Sequence, residues 1–298
     1  MLEAILLGLV QGLTEFLPVS SSGHLVVIPY LFRLPQPPLA MGVALHIGTL
    51  VAVLAYFAGD LAYLATRSLG RGVVAEGEAA RARRTILLLA VATLPAATIG
   101  YVFNATFEEL FGGPDAPRFT AVFLMCTAGL LTLAETVRRR RAKARVGVAA
   151  DEDPSIDVGR DESTVGWTDA VVIGFAQALA ILPGISRAGA TMAAGMLRGL
   201  SREGAARFSF LLSIPVIAGA GLFELVDRDA APAAGAAVFS GPEVAVGMLV
   251  AAVSGFWAIR FLLRLVSTDD LLGFARYVFL LGLFTLLGTI WLGPVSQV

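Results

Sequence analysis

Residues 8–24 place a glutamine, a carboxylate, three serines, a glycine and a histidine within one apolar stretch. Gln11 and Glu15 stand one helical turn apart and share a face. A carboxylate in hydrocarbon is costly unless it is paired, wetted or metal-bound. Glu15 is therefore either a structural lock between helices or a working group. Pro18 ends the run, and Ser20, Ser21, Ser22, Gly23 and His24 follow where a second helix should begin. Serines there can be plain N-caps, yet a helix N-terminus also offers N–H groups and a positive dipole end to phosphate. His24 is either a satisfied buried histidine or, this close to Ser21 and Glu15, an acid–base group. His46 has no such company in the sequence and reads as structural.

Residues 183–191 run Pro-Gly-Ile-Ser-Arg-Ala-Gly-Ala-Thr and repeat the pattern with an arginine added. Gly184 lets the backbone approach a ligand. Arg187 carries a planar fork suited to phosphate oxygens, or it forms a plain salt bridge to Glu15. Ser186 and Thr191 add hydroxyls. A carboxylate, an imidazole, hydroxyls, an arginine and glycine-rich turns make a plausible phosphoryl-transfer set, because such catalysis is mainly positioning and charge neutralisation. The sequence has no Walker loop and no kinase motif, which argues against nucleotide-driven chemistry.

These residues need helices to position them, and composition says of what kind. The chain has 298 residues, 57% hydrophobic and 15% charged, with a mean hydropathy of +0.79. Soluble domains carry roughly 25% charged residues. Several apolar runs approach the ~20 residues that cross a bilayer, so an all-α polytopic membrane protein is expected rather than a β-barrel. The net charge of −1 says little about partners. Cys126, the single cysteine, gives no intramolecular disulfide and no cysteine-based metal site. The N-terminus lacks a basic region, which argues against a cleaved signal peptide.

The first repeat, residues 1–145, begins with apolar pieces at 4–17 and 24–34, too short to span. They read as a re-entrant helical hairpin over 4–34. Spans follow at 44–66, 85–104 and 119–137. A cytoplasmic linker at 146–166, acidic and flexible, leads to the second repeat, 167–298. That repeat has a hairpin at 168–200 and spans at 208–226, 242–263 and 277–293. Basic loops at 67–84 and 138–145 are cytoplasmic by the positive-inside rule, and Arg198, Arg202 and Arg207 serve the same purpose. Gly8-x-x-Gln11 matches Gly174-x-x-Gln177, and Pro18-x-x-Ser21 matches Pro183-x-x-Ser186. Each half crosses an odd number of times, so the second copy should be inverted. Paired interrupted segments in an inverted repeat point to the binding site of a transporter-type fold. Gly8/Gly12 and Gly195/Gly199 have the spacing of close helix packing.

At these residues the chain strongly resembles the undecaprenyl-diphosphate phosphatase family, also called bacitracin resistance proteins, over essentially its whole length. The motifs that carry the resemblance are Gln11-Gly-Leu-Thr-Glu15 running on to His24, residues 183–191, and residues 207–215. The resemblance implies removal of the terminal phosphate from a C55 prenyl diphosphate, recycling the lipid carrier for peptidoglycan and other wall polymers. It also implies a bacterial plasma-membrane location, a divalent cation (Mg²⁺ or Ca²⁺), and a site open to the extracytoplasmic side. Two departures stand out. Gln11 replaces a glutamate found in some members and weakens position 11 as a charged metal ligand. Ala188 replaces the second serine of the Ser-Arg-Ser motif.

The mechanism expected on this basis puts the diphosphate between the hairpin tips and the prenyl tail in an apolar groove between spans. Glu15, Ser21, His24 and Arg187 are the catalytic set, with Glu15 also beside the metal. Gln11, Ser20, Ser22, Gly23, Gly184, Ser186 and Thr191 bind substrate. Ser21 is the favoured nucleophile and His24 the proton shuttle, with their roles exchangeable. The rival class is a flippase that returns undecaprenyl phosphate across the bilayer through the same inverted-repeat site. Partners are the lipid substrate and membrane lipids, with room for a homodimer and no nucleic acid.

Overall fold

The structure is a computed structural model that describes residues 1–70, 77–111, 113–147, 157–226 and 239–292. Arg71, residues 148–156 of the linker and residues 227–238 lie outside them. The helices are α1 (Leu2–Phe16), α2 (Ser21–Phe32), α3 (Leu39–Tyr56), α4 (Ala58–Ser68), α5 (Glu78–Phe111), α6 (Ala116–Val146), α7 (Trp167–Leu179), α8 (Arg187–Leu197), α9 (Arg202–Val226), α10 (Gly241–Val266) and α11 (Leu272–Leu292). Among the described residues there is no strand, only an isolated bridge between Arg160 and Leu200.

Five helices (α5, α6, α9, α10 and α11) are long and apolar enough to cross a membrane, and α3 with α4 makes a sixth if that bent pair is one span. The chain is an all-α, multi-pass membrane protein.

The run 44–66, expected as a span, is bent at Phe57, where α3 and α4 meet at 69°. Phe57 is fully buried and packs on Phe210, ring centroids 6.2 Å apart. Helix α4 buries no residue. Arg207 draws it aside, with Nη2 2.7 Å from Asp60 and the guanidinium 5.6 Å from the Phe57 ring. The hydropathy of 44–66 carries no sign of a partner 147 residues away.

Two short pairs, α1–α2 and α7–α8, sit among the long helices. Helix α1 packs on α10, α7 on α5, α8 on α6 and α9, and α6 on α11. Glycines make the first contact close. A Cβ at Gly12 would run into Ser254 Oγ and the Ala251 carbonyl, and one at Gly8 into the Gly247 carbonyl. Helix propensity favours alanine over glycine by roughly 1 kcal/mol, but the atoms met at Gly12 include rigid backbone. Gly12→Ala is therefore expected to destabilise by about 1–3 kcal/mol, read as a lower midpoint of thermal unfolding in detergent. An unchanged or raised midpoint contradicts this packing.

Two arginines expected to set topology are also part of the interior. Arg202 is fully buried and Arg138 nearly so, and both bond Glu135, which is itself fully buried. Glu135 Oε1 accepts from Arg202 Nε at 2.8 Å and from the Leu271 N–H at 3.1 Å. Its Oε2 accepts from Arg202 Nη2 at 3.0 Å and from Arg138 Nε at 3.1 Å. One carboxylate thus ties α6, α9 and the start of α11. The described part of the linker is held rather than loose. Asp157 Oδ2 accepts the Arg202 N–H at 2.7 Å, Arg160 N–H donates to the Gly199 carbonyl at 2.9 Å, and Glu162 accepts from Arg207 at 2.5 Å.

Candidate active site

The first tip follows from Pro18. The residue before a proline is pushed to extended backbone, and Leu17 has φ −72°, ψ 147°, which stops α1. Ser20 then takes φ +70°, a region non-glycine residues rarely occupy. Such a conformation costs on the order of 1–3 kcal/mol and persists where neighbours over-determine it. Here Ser20 Oγ caps α2 by accepting the Gly23 N–H at 3.1 Å, and its carbonyl accepts from His24 N at 3.1 Å and His24 Nδ1 at 2.7 Å.

The second tip is built from Pro183 and Gly184, whose φ of +104° suits glycine. A side chain there would also strike the Thr120 carbonyl. Thr127 on α6 holds this turn, donating to the Gly184 carbonyl at 3.0 Å and accepting the Ser186 N–H at 3.0 Å. Ser186 Oγ caps α8 by accepting the Gly189 N–H at 3.0 Å. Thr191 Oγ1 donates to the Arg187 carbonyl at 2.8 Å and pairs with Ser209 Oγ at 2.7 Å. Both hydroxyls, expected on substrate, are engaged in holding the tip. The two tips touch: a Cβ at Gly23 would lie 3.3 Å from Gly184 Cα and 3.1 Å from Leu124 of α6.

Where they touch, Glu15 is the hub. Its Oε1 accepts from Arg187 Nη2 at 2.7 Å. Its Oε2 accepts from Ser21 Oγ at 2.5 Å and from Gln11 Nε2 at 3.0 Å. The pair is nearly closed to solvent, Arg187 at 13% and Glu15 at 7% side-chain exposure. Arg187 Nη1 also reaches the Ser209 carbonyl at 3.5 Å, so residues 207–215 support the site from α9. Ser21, Glu15 and Gln11 form the chain that an activated hydroxyl needs: a nucleophile on its base, and the base oriented by a third group. Ser22 lies exposed at the same tip, its hydroxyl 3.3 Å from Ser20 Oγ.

His46, read from the sequence as structural, belongs to this cluster. Its Nε2 lies 3.9 Å from Glu15 Oε2 while its Nδ1 bonds the Gly42 carbonyl at 2.8 Å. No local motif marks it, because α3 brings it in from a separate helix. His24 is placed differently from expectation. Among the described residues it bonds neither Glu15 nor Ser21. Its Nε2 is 2.7 Å from Tyr277 Oη on α11.

Among the described residues no cluster of three or more His, Cys, Asp or Glu side chains forms a cage. Gln11 Oε1, however, is buried with no hydrogen-bond partner, next to the Glu15 carboxylate. One carboxylate and one orphan amide oxygen fit a hard cation that keeps several waters and takes its other ligands from substrate phosphates.

The chain matches the family described as bacitracin resistance protein BacA over residues 4–284. It is 44% identical over 288 residues to an undecaprenyl-diphosphatase of Rubrobacter xylanophilus, covering 94% of this chain and 95% of that protein. It is 40% identical over 281 residues to one of Moorella thermoacetica, covering 94% of each chain. It is also 40% identical over 295 residues to one of Thermomicrobium roseum, covering 96% of each. With its motifs at the two touching tips and its match running through nearly all the chain, the protein belongs to the bacitracin resistance protein BacA family.

Proposed function

We propose that this protein hydrolyses undecaprenyl diphosphate to undecaprenyl phosphate and phosphate, returning the lipid carrier to bacterial cell-wall synthesis. The observation that carries the reading is Ser21 Oγ at 2.5 Å from a buried carboxylate whose other oxygen is held by Arg187 at 2.7 Å. The names of the relatives agree with it.

In the mechanism, the terminal phosphate takes Arg187 from Glu15, which frees the carboxylate to act as base. Glu15 accepts the Ser21 proton as Ser21 Oγ bonds the terminal phosphorus. The bridging P–O bond breaks and undecaprenyl phosphate leaves. Water then attacks the phosphoserine, His24 Nε2 takes one of its protons, Glu15 returns its proton to Ser21 Oγ, and phosphate departs with the P–O bond to Ser21 broken. Arg187 and the Ser21 and Ser22 N–H groups at the start of α2 hold the phosphoryl oxygens throughout. A divalent cation, when bound, supplies further charge neutralisation, with Glu15 and Gln11 Oε1 as its protein ligands.

In our reading the first hairpin enters from outside the cell, so the site faces the extracytoplasmic side, with loops 67–84 and 138–145 in the cytoplasm. The inverted repeat is part of this reading. Two swapped contacts support it: α1 lies on α10 and α7 on α5. A Cβ at Gly8 would strike the Gly247 carbonyl, and one at its counterpart Gly174 the Ala92 carbonyl.

The test is phosphate release from a C55 diphosphate in detergent, where no leaflets exist. Release that requires a divalent cation is expected. No release under any divalent cation, alongside lipid movement in liposomes, would instead mark a transporter.

A further inference from the structure

His24 is the one residue of the expected catalytic set that stands outside the Glu15 hub, and its surroundings define what it can do. A carbonyl oxygen only accepts hydrogen bonds. The 2.7 Å contact from His24 Nδ1 to the Ser20 carbonyl therefore places a proton on Nδ1. Nε2 is left as the working nitrogen, and it sits 2.7 Å from Tyr277 Oη. The imidazole and phenol rings also stack, with centroids 5.7 Å apart and planes 19° from parallel. His24 is thus gripped by α2's own strained N-cap and by a side chain 253 residues away. Ser21 lies three residues before His24 on α2, so both project near the same face.

We propose that Tyr277 is the positioning residue of His24. Its phenol fixes the direction of the ring and donates to Nε2, keeping that nitrogen basic and aimed. The phenol yields its place when a phosphate oxygen or the hydrolytic water arrives. This rests on the phosphatase reading for its consequence in turnover, but not for the contact itself. Tyr277 is 48% exposed, so Tyr277→Phe keeps the ring and removes only the hydroxyl.

Two measurements on the full-length protein in detergent test the idea. The first needs no substrate. The chain has two histidines, so diethyl pyrocarbonate labelling of His24 can be read by mass spectrometry against His46 as an internal reference. Tyr277→Phe uncaps Nε2 and should raise the His24-to-His46 labelling ratio several-fold. An unchanged ratio overturns the proposal, whether or not the protein is a phosphatase. The second is a double-mutant cycle on undecaprenyl diphosphate hydrolysis. Tyr277→Phe is expected to lower kcat about tenfold with KM within about twofold. Combined with His24→Ala it should add no loss, because residues that act as a unit are non-additive. Losses that add, or a kcat equal to wild type in Tyr277→Phe, show that Tyr277 acts on something other than His24.

Discussion

Arg187→Ala lowers kcat on a C55 diphosphate by about 10³-fold, within the range a transition-state arginine supplies in phosphoryl transfer. The expectation follows from what the guanidinium does in the resting structure. It holds Glu15 Oε1 at 2.7 Å in a site nearly closed to solvent. Removing it takes away the group that neutralises a phosphoryl oxygen and leaves Glu15 with only the Gln11 and Ser21 hydrogen bonds. A carboxylate without its counter-ion beside an incoming diphosphate repels substrate, so KM rises as well. Arg187→Lys separates charge from geometry. Lysine keeps the charge and loses the planar fork, and should fall between wild type and alanine. Activity within a few-fold of wild type in Arg187→Ala contradicts the assignment.

The largest expected effect on stability lies outside this site. Glu135 is fully buried and accepts four hydrogen bonds, two of them from Arg202. Taking one member from a buried ion cluster strands the opposite charge and costs about 3–5 kcal/mol. Glu135→Ala should therefore lower the unfolding midpoint in detergent sharply. It should leave kcat near wild type at a temperature where the protein remains folded, because the cluster does not touch Glu15 or Arg187. A small shift in midpoint shows that the guanidiniums redistribute without loss. The triple variant Glu135→Leu, Arg202→Met, Arg138→Met is expected to recover stability relative to Glu135→Ala, since apolar replacement of a complete buried ion cluster is often near neutral.

Much of the site is legible in the sequence because its physics is local. Gln11 and Glu15 are a turn apart, Pro18 stops the helix, and the serines stand where α2 begins. Arg187 is visible because a charge in an apolar hairpin has few other uses. The spans are legible from hydropathy, except where a distant side chain bends one, as Arg207 does at Phe57. What stays hidden is set by long-range contact. His46 reads as an ordinary residue of an apolar helix until α3 sets its Nε2 3.9 Å from Glu15. Tyr277 reads as one more aromatic near a span end. Arg138 and Arg202 lie near other cations, so charge position explains them without their partner, and Glu135 hides at the end of an apolar run. Ser186 and Thr191 show the converse. Their residue types suit phosphate, and in the structure Ser186 Oγ also accepts the Gly189 N–H while Thr191 Oγ1 also pairs with Ser209, contacts that sequence spacing alone does not show.

The central claim is that Ser21, activated by Glu15 and faced by Arg187, carries the phosphoryl group. Its most direct test is to quench the enzyme during turnover of a C55 diphosphate labelled in the terminal phosphate, and to map the modified peptide. The account predicts an acid-stable phosphoserine at Ser21, absent in Ser21→Ala, with turnover in that variant lowered by on the order of 10³-fold or more. An acid-labile phosphohistidine at His24, or near-normal turnover by Ser21→Ala, contradicts it.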